Sequence, residues 1–323
     1  MSQQAQQQSG PPYASKAAAP GGLPSVIPDI PISAVLIALH VGFAITNMAI
    51  FQINKRRGHK FVISGMMFGF GMARITTLVL RIVWARRQTN VRLAIAANIF
   101  VNAGILLIYI INILFAQRIL RAKQPTVGWH NGLRITYRAI YIGIGGSLVM
   151  VITAIVLSVY TLNPYTLRAC RDVQLTAITY FLVFTTIPLF LVAAAYILPQ
   201  STDEETFGQR GMRIKVIVIL LSTCLCVLNA GFKAGTIWMP PRPINNPAWY
   251  HSKAAFYVFN FVLEIVILGV LTLSRVDKLF HIPNGSKKPG DYSTRYNQAP
   301  SDKKEAQSED TTGNDGYIDA QKL

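Results

Sequence analysis

The chain has 323 residues, of which 51% are hydrophobic and only 14% charged, and it carries a formal net charge of +17. Its charges fall mostly between long apolar runs rather than inside them, which excludes a soluble basic protein and indicates the polytopic membrane class. Residues 31–281 hold 24 Lys/Arg against 6 Asp/Glu, so the excess sits in short loops, where it orients a membrane protein; no nucleic-acid partner is expected.

Residues 1–30 are rich in Gln, Pro, Ala, Ser and Gly and read as a disordered tail. They contain no apolar signal-peptide core, so the first membrane helix is expected to serve as the targeting signal. The first span is expected over 31–53 and contains His40 and Asn47. After the basic turn NKRRGHK comes a second span, 61–84, with Arg74 near mid-depth and Arg81 near its end. Gly65 and Gly69 have the small-xxx-small spacing that lets a neighbouring helix come close.

The third span, 93–116, places Asn98, Asn102 and Tyr109 on one helical face. A basic loop leads to the fourth span, 139–162, and NPYTLRACRDVQ leads as a loop to the fifth, 175–198, where Pro188 predicts a kink. The sixth and seventh spans, 214–238 and 254–275, are joined by a segment with Pro240, Pro241, Pro243 and Pro247. Proline lowers the entropy of a free loop, so this segment predicts a compact cap resting on Trp249 and Tyr250. Residues 282–323 are polar and read as a disordered cytosolic tail.

Seven spans of about 22 residues match a hydrocarbon core of roughly 30 Å. The fold class is therefore all-α, an integral seven-helix membrane bundle. Loops 1, 3 and 5 and the C-terminal flank hold 17 Lys/Arg, against 8 on the other side. That bias predicts the N-terminus outside and the C-terminus in the cytosol, with Trp84, Trp238 and Trp249 at the outer interface.

Three cysteines, Cys170 in a loop and Cys224 and Cys226 inside an apolar run, exclude a disulfide framework. Cys-x-Cys within a membrane helix reads as packing rather than as a metal site, and no cofactor or metal is expected. The five histidines are scattered, with no phosphate-binding loop or nucleophile elbow, so an enzyme is not expected. Rhodopsin-like receptor motifs are missing: the third span ends in AQRILR and the seventh reads NFVLE.

What stands out instead is a polar interior. Ser222, Cys226, Asn229 and Lys233 share a face of the sixth span, and Tyr257, Asn260 and Glu264 share one of the seventh. At 1.5 Å per residue, Arg74 lies about 20 Å and Glu264 about 16 Å above the cytosolic edge. An ionisable group at that depth normally faces a protein interior or a wet cavity. Arg74 and Glu264 are thus expected either as an interhelical ion pair or as part of a ligand cavity. Lys233 either reaches toward Glu264 or, like Arg81, snorkels to the headgroups. The candidate ligand-pocket or buried polar set is His40, Arg74, Asn98, Asn102, Asn229, Lys233, Tyr257, Asn260 and Glu264.

Several stretches carry a family likeness: PISAVLIALHVGFAITNMAIFQINKRRGHKFVISGMMFGFGMARI, RLAIAANIFVNAGILLIYIINILFAQRIL, FKAGTIWMPPRP, PAWYHSKAAFYVFNFVLEI and IPNGSKKPGDYS. Over about 30–290 they resemble a fungal family of seven-span membrane proteins of unknown function, often labelled family C-like G-protein-coupled receptors. The resemblance implies a receptor-like sensor in the plasma membrane, with a small-molecule or lipid ligand in the outer half of the bundle. Basic loops 1 and 3 and the tail would face a cytosolic G protein or another effector. Ser286, Ser293, Thr294, Ser301, Ser308, Thr311 and Thr312 are expected phosphorylation sites in the tail. A more distant likeness in layout, to the fungal lipid-translocating, resistance-associated exporters, keeps a lipid translocase or small-molecule transporter as the alternative.

Overall fold

A computed structural model describes residues 10–13, 17–59, 61–199, 201 and 204–293. Seven helices long and apolar enough to cross a membrane follow one another: Asp29–Arg56, Val62–Arg86, Val91–Lys123, Asn131–Tyr160, Pro164–Ile197, Met212–Trp238 and Lys253–Leu273. Side chains set several of their starts. Asn90 Oδ1 accepts from the Leu93 amide, Asn163 Oδ1 from the Tyr165 amide and Ser252 Oγ from the Ala255 amide. Each of these satisfies a donor that the first helical turn leaves without an intrahelical partner. Short connections make successive spans antiparallel. The face holding Asp29, Arg86, Tyr160, Trp238 and Lys253 is called the N-face below, and the opposite one the C-face.

The first two spans pack along their length, and at Gly71 the backbones are near enough that an added Cβ would lie 3.3 Å from the Ala44 methyl and 3.6 Å from the His40 carbonyl. At Gly65 and Gly69 a Cβ would meet the Phe51 ring of the first span and a Leu107 methyl of the third at 3.6 and 3.9 Å, ordinary van der Waals contact with side chains rather than backbone. The core lies among spans two, three, five, six and seven. The fourth span is peripheral and leans mainly on the fifth. The fifth helix runs on through Pro188, where the missing N–H costs one ladder bond.

Two spans are internally irregular. The third divides into Val91–Ala103 and Leu106–Lys123. Around Gly104 its bonding tightens to Leu107 N–H onto the Gly104 carbonyl and Ile108 N–H onto the Ile105 carbonyl. The seventh contains a π-turn over Val258–Val262. Buried backbone at membrane depth must find partners inside the protein, so both irregularities need polar side chains beside them.

The flanks differ from the sequence expectations in physical detail. Residues 131–138 and 164–174, expected in loops, are helical, so Cys170 is a buried residue of the fifth helix rather than a loop thiol. Residues 17–28, expected within a disordered tail, pack on the N-face: Ala17 bridges Pro243, and the amides of Ala18 and Gly21 donate to the carbonyls of Arg242 and His251. This N-terminal strip holds down the 239–253 connection. Trp249, expected to anchor the cap, is 71% exposed.

On the C-face a helical turn, Val276–Leu279, follows the αL residue Arg275. Residues up to 293, expected to be disordered, then fold back over the bundle. Glu205 accepts the Gly290 and Tyr292 amides at 2.9 and 2.8 Å, and the buried Tyr292 ring sits against Trp129 and Phe207. Ser286 and Ser293 belong to this segment, with Ser293 Oγ accepting from the Thr206 amide. Thr294, Ser301, Ser308, Thr311 and Thr312 lie outside the described residues.

Candidate functional site

The buried charges collect in two centres. In the inner one Glu264 is fully buried and meets two cations. Arg74 Nη2 donates to Glu264 Oε1 at 2.8 Å, and Arg74 Nε pairs with Oε2. Lys233 Nζ stands 3.6 Å from Oε1. Arg74 Nη1 donates to the carbonyls of Phe100 and Val101, both at 3.0 Å, and Lys233 Nζ reaches the Val101 carbonyl at 3.4 Å.

These carbonyls belong to the turn before the break in the third span. There the Phe100 carbonyl also accepts a long, 3.4 Å bond from the Gly104 amide. Gly104 leaves room at the break for Arg74: a Cβ there would lie 3.2 Å from the guanidinium and push it by a few tenths of an ångström. Phe70 and Phe261 flank the guanidinium at 5.3 and 5.9 Å. Arg74 therefore links the second span to an interrupted third and to the seventh.

The π-turn is served in the same way. Asn229 Nδ2 donates to the Phe259 carbonyl at 2.6 Å, and Asn229 Oδ1 accepts from the Tyr109 hydroxyl at 2.9 Å. The Phe232 and Phe259 rings stack at 4.0 Å beside it. Both backbone irregularities and three ionisable side chains thus occupy one level of the bundle. Discontinuities of this kind are common at functional sites in helices.

The outer centre is organised by Asp29, which the sequence left in the tail. Its Oδ1 accepts from Arg81 Nη2 at 2.9 Å and from the Tyr257 hydroxyl at 2.8 Å, and its Oδ2 pairs with Lys253 at 2.5 Å. Arg81 was expected to snorkel. It is instead 3% exposed, donates to the Gly21 carbonyl at 2.8 Å and lies 4.3 Å over the Phe256 ring. The reason is that the N-terminal strip covers it and brings a carboxylate. Tyr257 belongs to this outer centre and not to that of Glu264.

Two cavities adjoin these centres. One, of about 80 Å³, lies between spans three, four, five and six in the N-face half. Its wall is mostly aliphatic and includes Asn102, Tyr109, Gln174 and Lys233 as the polar members. The other, of about 470 Å³, lies under the N-terminal strip among Trp84, Gln88, Asn98, Pro247 and His251.

The remaining expected site residues divide. Asn98 and Asn102 sit at different cavities, with Asn102 Nδ2 bonded back to the Asn98 carbonyl at 3.0 Å. Asn260 bonds back to the Phe256 carbonyl within its own helix. His40 is fully buried, edge-on to Phe70 at 6.2 Å, and neither ring nitrogen has a hydrogen-bond partner among the described residues. Sequence reasoning missed Asp29 and Lys253. The available signal was an acid two residues before the first apolar run, opposite an arginine near the end of the second. Among the described residues no group of three His, Cys, Asp or Glu is placed to hold a metal ion.

A family described as protein of unknown function (DUF3112) matches residues 125–215 and 208–281. No curated protein and no solved structure matches. The matched stretch carries Asn229, Lys233 and Glu264, while Arg74 and Asp29 lie before it. The chain is a multi-pass helical membrane protein, similar across its last four spans to a family whose function is unknown.

Proposed function

We propose that this protein is a receptor-like membrane sensor whose ligand enters the cavity beside Lys233, with the N-face outside the plasma membrane and the C-face toward a cytosolic G protein or another effector. One observation carries this reading: Lys233 belongs at once to the cavity wall and to the Glu264 centre. An occupant that engages the Lys233 ammonium alters the charge balance around Glu264. That carboxylate ties the seventh span to the second and sixth, and Arg74 extends the tie to the third. A ligand acts through such a centre only by binding one arrangement of it better than another.

The C-face supports sensing over passage, because Phe115, Phe207, Phe280 and Tyr292 pack into a buried aromatic seal there. The transporter reading has its own observation in its favour. The third and seventh spans are interrupted at the level of a buried carboxylate, as carriers build their midplane sites.

Purification from native membranes in mild detergent tests the choice. A G-protein α subunit is expected to accompany the chain, and proteoliposomes loaded with a pH-sensitive dye are expected to show no Glu264-dependent proton flux. Flux abolished by Glu264→Gln, without any α subunit, would replace the sensor with a carrier. A tag before Met1 is expected to be reached from outside intact cells, and a tag after Leu323 is not; the reverse labelling would invert the faces assigned above.

A further inference from the structure

Glu264 is one carboxylate shared by two cations. Arg74 and Lys233 are 0% and 6% exposed, and the other acid placed within the spans' buried interior, Asp29, is engaged by Arg81 and Lys253 in the outer centre. With all three groups ionised, the inner centre holds one positive charge in excess at bilayer depth. An uncompensated buried charge is costly and is normally paired, or neutralised by giving up its proton.

The excess falls on Lys233. Arg74 already spends its donors on Glu264 and on two carbonyls. An ammonium has three donors, and Lys233 has two acceptors near it, Glu264 Oε1 at 3.6 Å and the Val101 carbonyl at 3.4 Å. Its side chain is also part of the cavity wall. The other polar side chains there are Gln174, Asn102, whose amide keeps a second N–H beside the one given to the Asn98 carbonyl, and Tyr109, whose hydroxyl proton goes to Asn229, and no acid lines the cavity. The rest of the wall, including Ile152, Ile178 and Phe181, is apolar. A pocket of this kind orients an apolar body by a few convergent polar groups.

We propose that the cavity binds a single-chain amphiphile with a carboxylate head, the head at Lys233 and the chain along Ile152, Ile178 and Phe181. A monoanion matches the single excess charge, whereas a phosphate monoester brings nearly two. The volume of about 80 Å³ holds the head and the first carbons. The rest of the chain leaves along the half-buried residues of the third and fourth spans, where the fourth leans mainly on the fifth. This deepens the sensor reading and rests on its cavity.

The test uses the full chain in phosphatidylcholine nanodiscs at neutral pH, with radiolabelled octanoate, octanol and octylamine as probes. Octanoate is expected to bind saturably, one per chain, and to raise the unfolding temperature, while octylamine does neither and octanol binds more weakly. Lys233→Met leaves a neutral Arg74–Glu264 pair and is expected to fold and to weaken octanoate at least about tenfold, the scale of a charge-assisted hydrogen bond, while Lys233→Arg retains most of the binding. Ile152→Trp, on the peripheral fourth span, is expected to block octanoate by filling the cavity.

Butyrate competing as well as oleate would assign the head to a soluble acid, and oleate alone competing would assign it to a membrane-derived acid; both keep the carboxylate. Octylamine or octanol binding as tightly as octanoate, or an unchanged octanoate affinity in Lys233→Met, would overturn the anionic class and leave the sensor's cavity in place. No binding by any probe, with Ile152→Trp indistinguishable from the parent, would remove the cavity and with it both readings.

Discussion

Arg74 and Glu264 meet with both side chains fully buried, Nη2 to Oε1 at 2.8 Å, and so join the second and seventh spans. Lys233 stands on the same oxygen, which makes the three single substitutions unequal. Glu264→Gln leaves two cations facing each other and is expected to cost about 3–5 kcal/mol, the range for a broken buried pair. Arg74→Gln is expected to cost less, because Lys233 still neutralises Glu264. Lys233→Met is expected to cost least, and in the Glu264→Gln background it recovers part of the loss. Thermal unfolding of the purified variants in detergent measures the order. A Glu264→Gln protein as stable as the parent would show that this carboxylate does not hold the two cations together.

The outer centre is expected to govern the N-terminal strip. Asp29→Asn strands Arg81, which is 3% exposed, and loosens Lys253, which is free to turn toward water. The expected loss is about 3 kcal/mol, at the low end for a buried pair because only one partner is fully enclosed. Hydrogen exchange should speed up over residues 17–28 and 250–257 and remain slow around Glu264. Uniform loss of protection across the bundle would contradict two separate centres.

On the C-face, Glu205 and Tyr292 are expected to act as a latch for residues 283–293. Tyr292→Ala empties an aromatic site between Trp129 and Phe207, at about 3 kcal/mol for a fully buried ring. Glu205→Gln keeps the shape and weakens two charge-assisted bonds. Both should raise proteolytic cleavage after Lys287 or Lys288 while leaving the unfolding of the seven-helix core nearly unchanged. Cleavage no faster than in the parent would mean that the segment is held elsewhere.

Acid is expected to weaken the C-face in two steps. Burial, with His59 and Arg118 nearby, holds His281 below its ordinary value of 6.5. The unfolded chain therefore binds that proton first, so the contribution of His281 is complete above about pH 6.5 and declines as the pH falls below it. Asp277 is lowered from 3.8: burial alone would raise it, but hydrogen bonds from Arg275 and Asn54 outweigh that. Its contribution is present above 3.8 and is lost as the pH falls through its folded value. His281→Gln should remove the upper step alone, read as the pH dependence of exchange over residues 275–293. An upper step that persists in His281→Gln would assign it to another group.

The membrane class and the seven spans were legible in the sequence because hydrophobic run length is a local property that the bilayer reads directly. The level of the inner centre was legible too: counting residues along two helices puts Arg74 and Glu264 at similar depth, and the structure brings them together. The tertiary structure decided how the charge is shared. Apolar periodicity does not say which neighbour supplies a counter-charge, so whether Arg74, Lys233 or both would hold Glu264 stayed open in the sequence, and the capture of Arg81 by Asp29 was not readable. The breaks at Gly104 and at 258–262 were hidden for a related reason. A glycine or an ordinary apolar run is compatible with regular helix, and it is Arg74, Lys233 and Asn229, arriving from other spans, that stabilise the carbonyls of the irregular turns. The polar flanks at 17–28 and 283–293 read as tails because composition reports how little apolar surface a segment offers. It does not report the carboxylates, Asp29 at one face and Glu205 at the other, that bind the side chains and amides laid over them.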